Sequence, residues 1–116
     1  MGKINKNLYL TEIIQRLKRY NPQSIILFGS SSTGNNDEES DIDLLVILDS
    51  NIIPQSFEEK IKIKMPLRKA IRDINRKVAI DLLVYTKREM EIMREKESNR
   101  FKDIIKSGKT LYEKVD

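Results

Sequence analysis

Phe28-Gly29-Ser30, then ten residues, then Asp41-Ile42-Asp43-Leu44-Leu45-Val46-Ile47-Leu48 is the stretch whose reading decides the fold. Its second half is an almost continuous run of branched aliphatic residues, the pattern of a strand covered on both faces. That strand opens on two carboxylates. Side chains alternate faces along a strand, so Asp41 and Asp43 point the same way while Ile42 points into the core. With a rise of roughly 3.3 Å per residue the pair stands about 7 Å apart, close enough to share one metal ion or bridge two. Like charges buried side by side are unfavourable, and a cation is the usual compensation where the run holds no basic side chain. Gly29-Ser30 ends the preceding strand, residues 24–28. Glycine lets the backbone approach a ligand closely, and the Ser30 hydroxyl with nearby amides suits phosphate oxygens at a helix N-terminus. Alone, Gly-Ser after a strand is ordinary turn chemistry.

Working outward, residues 78–85 form a third run of strand character, again nearly all apolar, broken by Asp81. Strands of this composition are expected at the centre of a sheet, where a lone buried carboxylate needs a partner. If the third strand neighbours the second, Asp81 joins Asp41 and Asp43 in an oxygen-only site. Before the strands, Leu10, Ile13, Ile14 and Leu17 recur on one helical face, predicting an amphipathic helix over 8–20 that ends at Asn21-Pro22. Between the second and third strands, Phe57, Ile61, Met65, Ile71 and Ile74 keep helical spacing around Pro66, which is expected to kink or restart the helix. Thr86-Lys87-Arg88-Glu89 has the form of a capping box, so a helix follows the third strand at once. A helical turn around Phe101, Ile104 and Ile105 ends at Gly108, and Thr110-Leu111-Tyr112 suits a short edge strand.

Composition narrows the chemistry. The 116 residues, 39% hydrophobic, suffice for one compact domain spanning 1–116 and not for two. The charged fraction of 34% and mean hydropathy of −0.51 describe a soluble surface. The longest purely apolar run, 44–48, is too short to span a bilayer, and the first residues lack a secretory signal, so a cytoplasmic protein is expected. With no cysteine and no histidine, thiol and imidazole chemistry are absent and a metal must sit on oxygen ligands, which favours magnesium or manganese. Charge is uneven: residues 1–59 carry five basic and nine acidic groups, residues 60–116 seventeen and nine. Eight of the basic groups fall within 60–77 against Asp73 alone, which suits a polyphosphate, a nucleic acid or an acidic protein surface, or is simply a solvated helix face.

Gly29-Ser30-x10-Asp41-x-Asp43, followed by Asp81 in a later strand, resembles the signature of the DNA polymerase β-like nucleotidyltransferase superfamily. Within it the chain resembles the minimal nucleotidyltransferases (MNT), a likeness that extends to Ser107-Gly108-Lys109-Thr110-Leu111-Tyr112-Glu113. The resemblance implies an α+β fold, a small mixed β-sheet flanked by α-helices. It further implies that Asp41 and Asp43 bridge two metal ions, Asp81 binds the ion nearest the acceptor, and Gly29 and Ser30 hold the triphosphate. In the family Gly-Ser is often followed by a segment such as Arg-Ala-Arg-Gly, whereas here Ser31-Ser32-Thr33-Gly34 stands in its place; the basic residues of 60–77 are the candidates to supply that charge.

Each aspartate also has an ordinary explanation: Asp41 capping a turn, Asp43 facing solvent, Asp81 paired with Lys77 or Arg76. Asp37, Glu38, Glu39 and Asp49 read as loop charges and Tyr112 as packing. A minimal chain is expected to hold no second domain for an acceptor, and MNT proteins resemble antitoxins that act on all-helical HEPN toxins. The expected function is therefore transfer of AMP from ATP, or another nucleoside triphosphate, to a tyrosine of a HEPN partner. A degenerate antitoxin that neutralises its partner by binding alone is the alternative. Transfer to a small molecule or to nucleic acid fits the short chain less well, although the basic stretch keeps nucleic-acid contact open, and no membrane partner is expected.

Overall fold

In a computed structural model the described residues are 6–29, 42–96, 104 and 106–115. Helix α1 (Lys6–Leu17) runs into a 3-10 turn (Lys18–Tyr20), and Asn21, with φ of 56°, turns the chain into strand β1 (Pro22–Phe28). Strand β2 (Ile42–Leu48) follows, then helix α2 (Phe57–Ala70), the single turn α3 (Arg72–Asn75), strand β3 (Ile80–Thr86), helix α4 (Lys87–Glu95) and strand β4 (Lys109–Glu113). Ile104 and residues 106–107 are helical, and the expected contribution of Phe101 and Ile105 to that turn lies outside the described residues.

The four strands form one mixed sheet in the order β3-β2-β1-β4. β1 is antiparallel to both β2 and β4, and β2 is parallel to β3. Helices pack on it to give the expected α+β architecture, a small mixed sheet flanked by α-helices. The sheet divides the apolar interior. On one face Ile25, Leu27, Leu44, Val46 and Leu82 meet Ile13 and Leu17 of α1, Leu67 of α2, Ile74 of α3 and Ile71 between the two. The opposite face presents Ile26, Leu45 and Ile47 to Met90 of α4 and to Ile104. The continuous apolar run in β2 is explained: odd and even positions alike are buried.

Two expectations are corrected. β3 is an edge strand among the described residues, not a central one, and its side chains are mostly half-buried. Its apolar composition reflects helices α2 and α4 lying alongside it rather than a strand on each side. Pro66 does not interrupt α2, which continues to Ala70. Proline removes one N–H, and the carbonyl it would have bonded belongs to Lys62, an exposed residue on the outer face of the helix. The break falls instead at buried Ile71, where φ is −114° and ψ 12°.

The junctions are specified by side chains. Ser56 caps α2, accepting from the Glu59 amide at 3.2 Å. Thr86, 1% exposed, accepts from the Glu89 amide at 3.1 Å, donates its hydroxyl to the Ile52 carbonyl at 2.7 Å, and has its own amide bonded by Glu89 Oε1 at 3.0 Å. The predicted capping box is thus present and also ties the β2–α2 connection to the end of β3. Gly108 bonds the Ile104 carbonyl at 2.8 Å, and a Cβ there would stand 2.6 Å from Ile26 Cγ2, so the turn into β4 packs backbone directly on the sheet.

Candidate active site

Asp43 is the second residue of β2 and Asp81 the second of β3, and the parallel register makes them direct partners. Adjacent strands lie about 4.8 Å apart, so two such side chains emerge side by side from the same face of the sheet. On the other flank of β2, Asp43 is the register partner of Phe28, and Gly29 comes next in the chain. Gly29 has φ of 76°, and a Cβ there would overlap Asp43 Oδ2 and lie 3.1 Å from Asp43 Cγ. Glycine is needed at this position for two reasons: the left-handed backbone, and the space into which the carboxylate fits.

The structure therefore brings three of the five expected site residues, Gly29, Asp43 and Asp81, to one end of the β1-β2-β3 part of the sheet. Ser30 and Asp41 lie outside the described residues, as does the segment 31–40. Among the described residues no group of three or more carboxylate, His or Cys side chains is gathered at one point, and Asp41 is not among those residues. Asp43 is half-buried. Asp81 is exposed, contrary to the expectation of a buried carboxylate, because it sits on the sheet's outer strand. Two carboxylates in register, with backbone drawn against one of them, form an oxygen donor set that fits a hard divalent cation.

Beyond Asp81 the sequence reading had no specific residues, and the structure supplies them. A hollow of about 250 Å³ is lined by Asp81 together with Lys64 and Arg68 of α2 and Asn75 of α3. Asn75 Oδ1 accepts from the Ile80 amide at 2.8 Å, which fixes the backbone immediately before Asp81. Burial lowers the pKa of the Lys64 ammonium, the Arg68 charge adds to that, and Asp81 acts in the opposite sense. The signal was present in the spacing, since Lys64, Arg68, Ile71 and Asn75 recur at the intervals of one helical face.

A second charged group lies at the other end of the strands. Asp49, just after β2, accepts from Lys114 at 2.7 Å and is paired with Lys87 at 2.7 Å, and these partners lower its carboxyl pKa from the usual 3.8 to about 2. It joins β4, β2 and α4, so it is a structural junction rather than the loop charge expected from sequence. Among the described residues no helix is long and apolar enough to cross a membrane.

Comparison with known proteins agrees with this geometry. The chain is 39% identical over 67 residues to a Methanocaldococcus jannaschii protein named "Putative protein adenylyltransferase MJ1379". That similarity covers 53% of this chain and 66% of the relative, a little under two thirds of its length. No solved structure matches the chain significantly. The family described as "Polymerase beta, Nucleotidyltransferase" matches residues 11–116, which takes in the Gly29 turn, both described carboxylates and all four strands. On that match the chain belongs to the polymerase beta nucleotidyltransferase family.

Proposed function

We propose that this chain, as one domain over residues 1–116, transfers AMP from ATP to a hydroxyl of a protein. The observation that carries the reading is the register of Asp43 with Asp81, with Gly29 held against Asp43. Like charges directly opposed on neighbouring strands are unfavourable in a sheet, and a bound cation would offset that cost. Asp41, Asp43 and Asp81 are the proposed holders of two magnesium ions, for which manganese could substitute. When bound, such ions supply neutralisation of the α-phosphate and pyrophosphate charge and lower the pKa of the acceptor hydroxyl. Gly29 and Ser30 are the proposed contacts for the triphosphate: Gly29 leaves no side chain between backbone and ligand, and Ser30 offers a hydroxyl. The acceptor oxygen forms a bond to the α-phosphorus and the bond from that phosphorus to the pyrophosphate oxygen breaks. Pyrophosphate leaves with the electron pair, and the hydroxyl proton passes to solvent.

A protein acceptor is supported by the name of the archaeal relative and by the exposure of Asp81, which opens the acceptor side of the site to a macromolecule. The likeness to MNT proteins supports a finer reading: a cytoplasmic antitoxin whose acceptor is a tyrosine of a HEPN toxin. The departure Ser31-Ser32-Thr33-Gly34 favours one other reading, neutralisation of that partner by binding alone.

Incubation with α-labelled or γ-labelled ATP, magnesium and a host lysate tests transfer, with Asp43→Asn as the control. Label entering protein from the α-position alone, and lost in Asp43→Asn, is the expected result. If neither label is transferred and Asp81→Asn still neutralises a purified partner, binding alone is the function.

A further inference from the structure

The hollow beside Asp81 continues into a second, of about 340 Å³, that runs between α2 and the outer side of β3. Lys64 and Arg68 line both. The far end of the second hollow is apolar: Phe57 is 77% exposed and Ile61 39% exposed, and Tyr85 forms part of the floor. Lys60 stands over the Tyr85 ring at 4.9 Å and reaches Glu89 at 3.4 Å, so its charge is partly met within the chain. Lys64 and Arg68 differ. Among the described residues neither forms a salt bridge, and each is the other's close like charge. Cationic near Asp81 and apolar beyond it, the groove lies along the edge of the described sheet.

We infer that this α2–β3 groove docks the acceptor protein through a segment that combines apolar side chains with carboxylates, and so leads its hydroxyl to Asp81. The inference rests on the transferase reading of the Asp43–Asp81 site and names the chemistry of its acceptor. Charge complementarity identifies the occupant. A carboxylate placed between Lys64 and Arg68 offsets their mutual repulsion and the cost of burying the Lys64 ammonium, and an apolar side chain covers Phe57 and Ile61. A triphosphate would satisfy the cations but leave the apolar end uncovered. Gly29, a proposed triphosphate contact, also lies on the far side of Asp43, at the end of β1.

The test uses the full chain and a fluorescein-labelled random Glu–Tyr copolymer, followed by fluorescence anisotropy at physiological salt, with a Lys–Tyr copolymer as the opposite charge. Wild type should bind Glu–Tyr at least tenfold more tightly than Lys–Tyr. Lys64→Glu with Arg68→Glu should reverse that order, and Phe57→Ala, at an exposed site, should weaken Glu–Tyr binding several-fold. Lys106→Glu with Lys109→Glu, on exposed residues at and before β4, the opposite edge of the sheet, should change it less than twofold. Equal loss in both charge-reversal pairs, or in neither, overturns the inference, because binding would then follow net charge alone. It is also overturned if the Lys64 and Arg68 reversals weaken binding of a fluorescent ATP analogue while sparing the copolymer, since the groove would then serve the triphosphate. Transfer of α-label to the copolymer separates this inference from the function it rests on. Groove-dependent binding with no transfer of α-label to the copolymer or to lysate protein sinks the transferase reading and leaves the groove a binding surface only, whereas transfer that ignores the groove variants sinks docking alone.

Discussion

Asp43 and Asp81 are like charges in direct register on neighbouring strands, and this placement yields a prediction at the scale of single residues. In metal-free buffer, Asp81→Asn should melt at the same temperature as wild type or slightly higher. With magnesium it should lose nucleotide transfer by on the order of 100-fold, the scale on which removing one charge-stabilising group acts. Added magnesium should raise the melting temperature of wild type and not of the Asp43→Asn, Asp81→Asn pair, because an ion bound by the native state alone stabilises it. Gly29→Ala should cost more than about 1 kcal/mol in urea unfolding, from both its left-handed φ and its overlap with Asp43. Repeating it in an Asp43→Ala background isolates the overlap: the cost should shrink there, and an undiminished cost would assign it to the backbone alone. At this scale the sequence was informative, since alternation along a strand is a local rule that put Asp41 and Asp43 on one face, and Asp81 stood out as the carboxylate interrupting an apolar run. The pairing of Asp43 with Asp81 was legible only on the condition that the two strands are neighbours. The exposure of Asp81 was not legible, because it depends on what lies beyond β3.

Among the elements, those with a local cause were readable in advance. The Thr86–Glu89 box starts α4 where the motif placed it, and β2 spans the residues its apolar run marks. Thr86→Ala removes the cap and strands the Ile52 carbonyl, so a loss of about 1–2 kcal/mol in urea unfolding is expected. Thr86→Ser, which keeps both bonds, should recover most of it. Pro66 was misleading for an instructive reason. Its cost in a helix depends on whether the orphaned carbonyl can reach water, and that is a property of the packed molecule rather than of the tripeptide. The apolar content of β3 likewise signalled coverage without saying by what. Strands and helices cover a strand equally well, so a central position and an edge position flanked by helices leave the same mark in sequence.

For the whole molecule, order within the sheet was the least legible property, since nothing in residues 109–113 announces that β4 pairs with β1 rather than with β3. The structure secures that choice at Asp49, where Lys114 and Lys87 converge on one carboxylate. Hydrogen bonds from these lysines lower its pKa to about 2, so its contribution is fully present above the usual 3.8 and drains away as pH falls toward the lowered value. Asp49→Asn should therefore unfold at lower urea than wild type at neutral pH, and the gap should close as both are titrated from about pH 4 to about pH 2. A gap that persists through that range would show the junction to be held by something other than charge. The parallel pairing of β2 with β3 has a consequence in time. Parallel neighbours cannot be joined by a tight hairpin: α2 and α3 must cross over first, and the entropy of closing that long excursion is met before any contact across it forms. Asp43 meets Asp81 only at that closure. A chain still folding is thus catalytically silent, and in refolding, amide protection in β3 and nucleotide transfer should rise with the same rate constant.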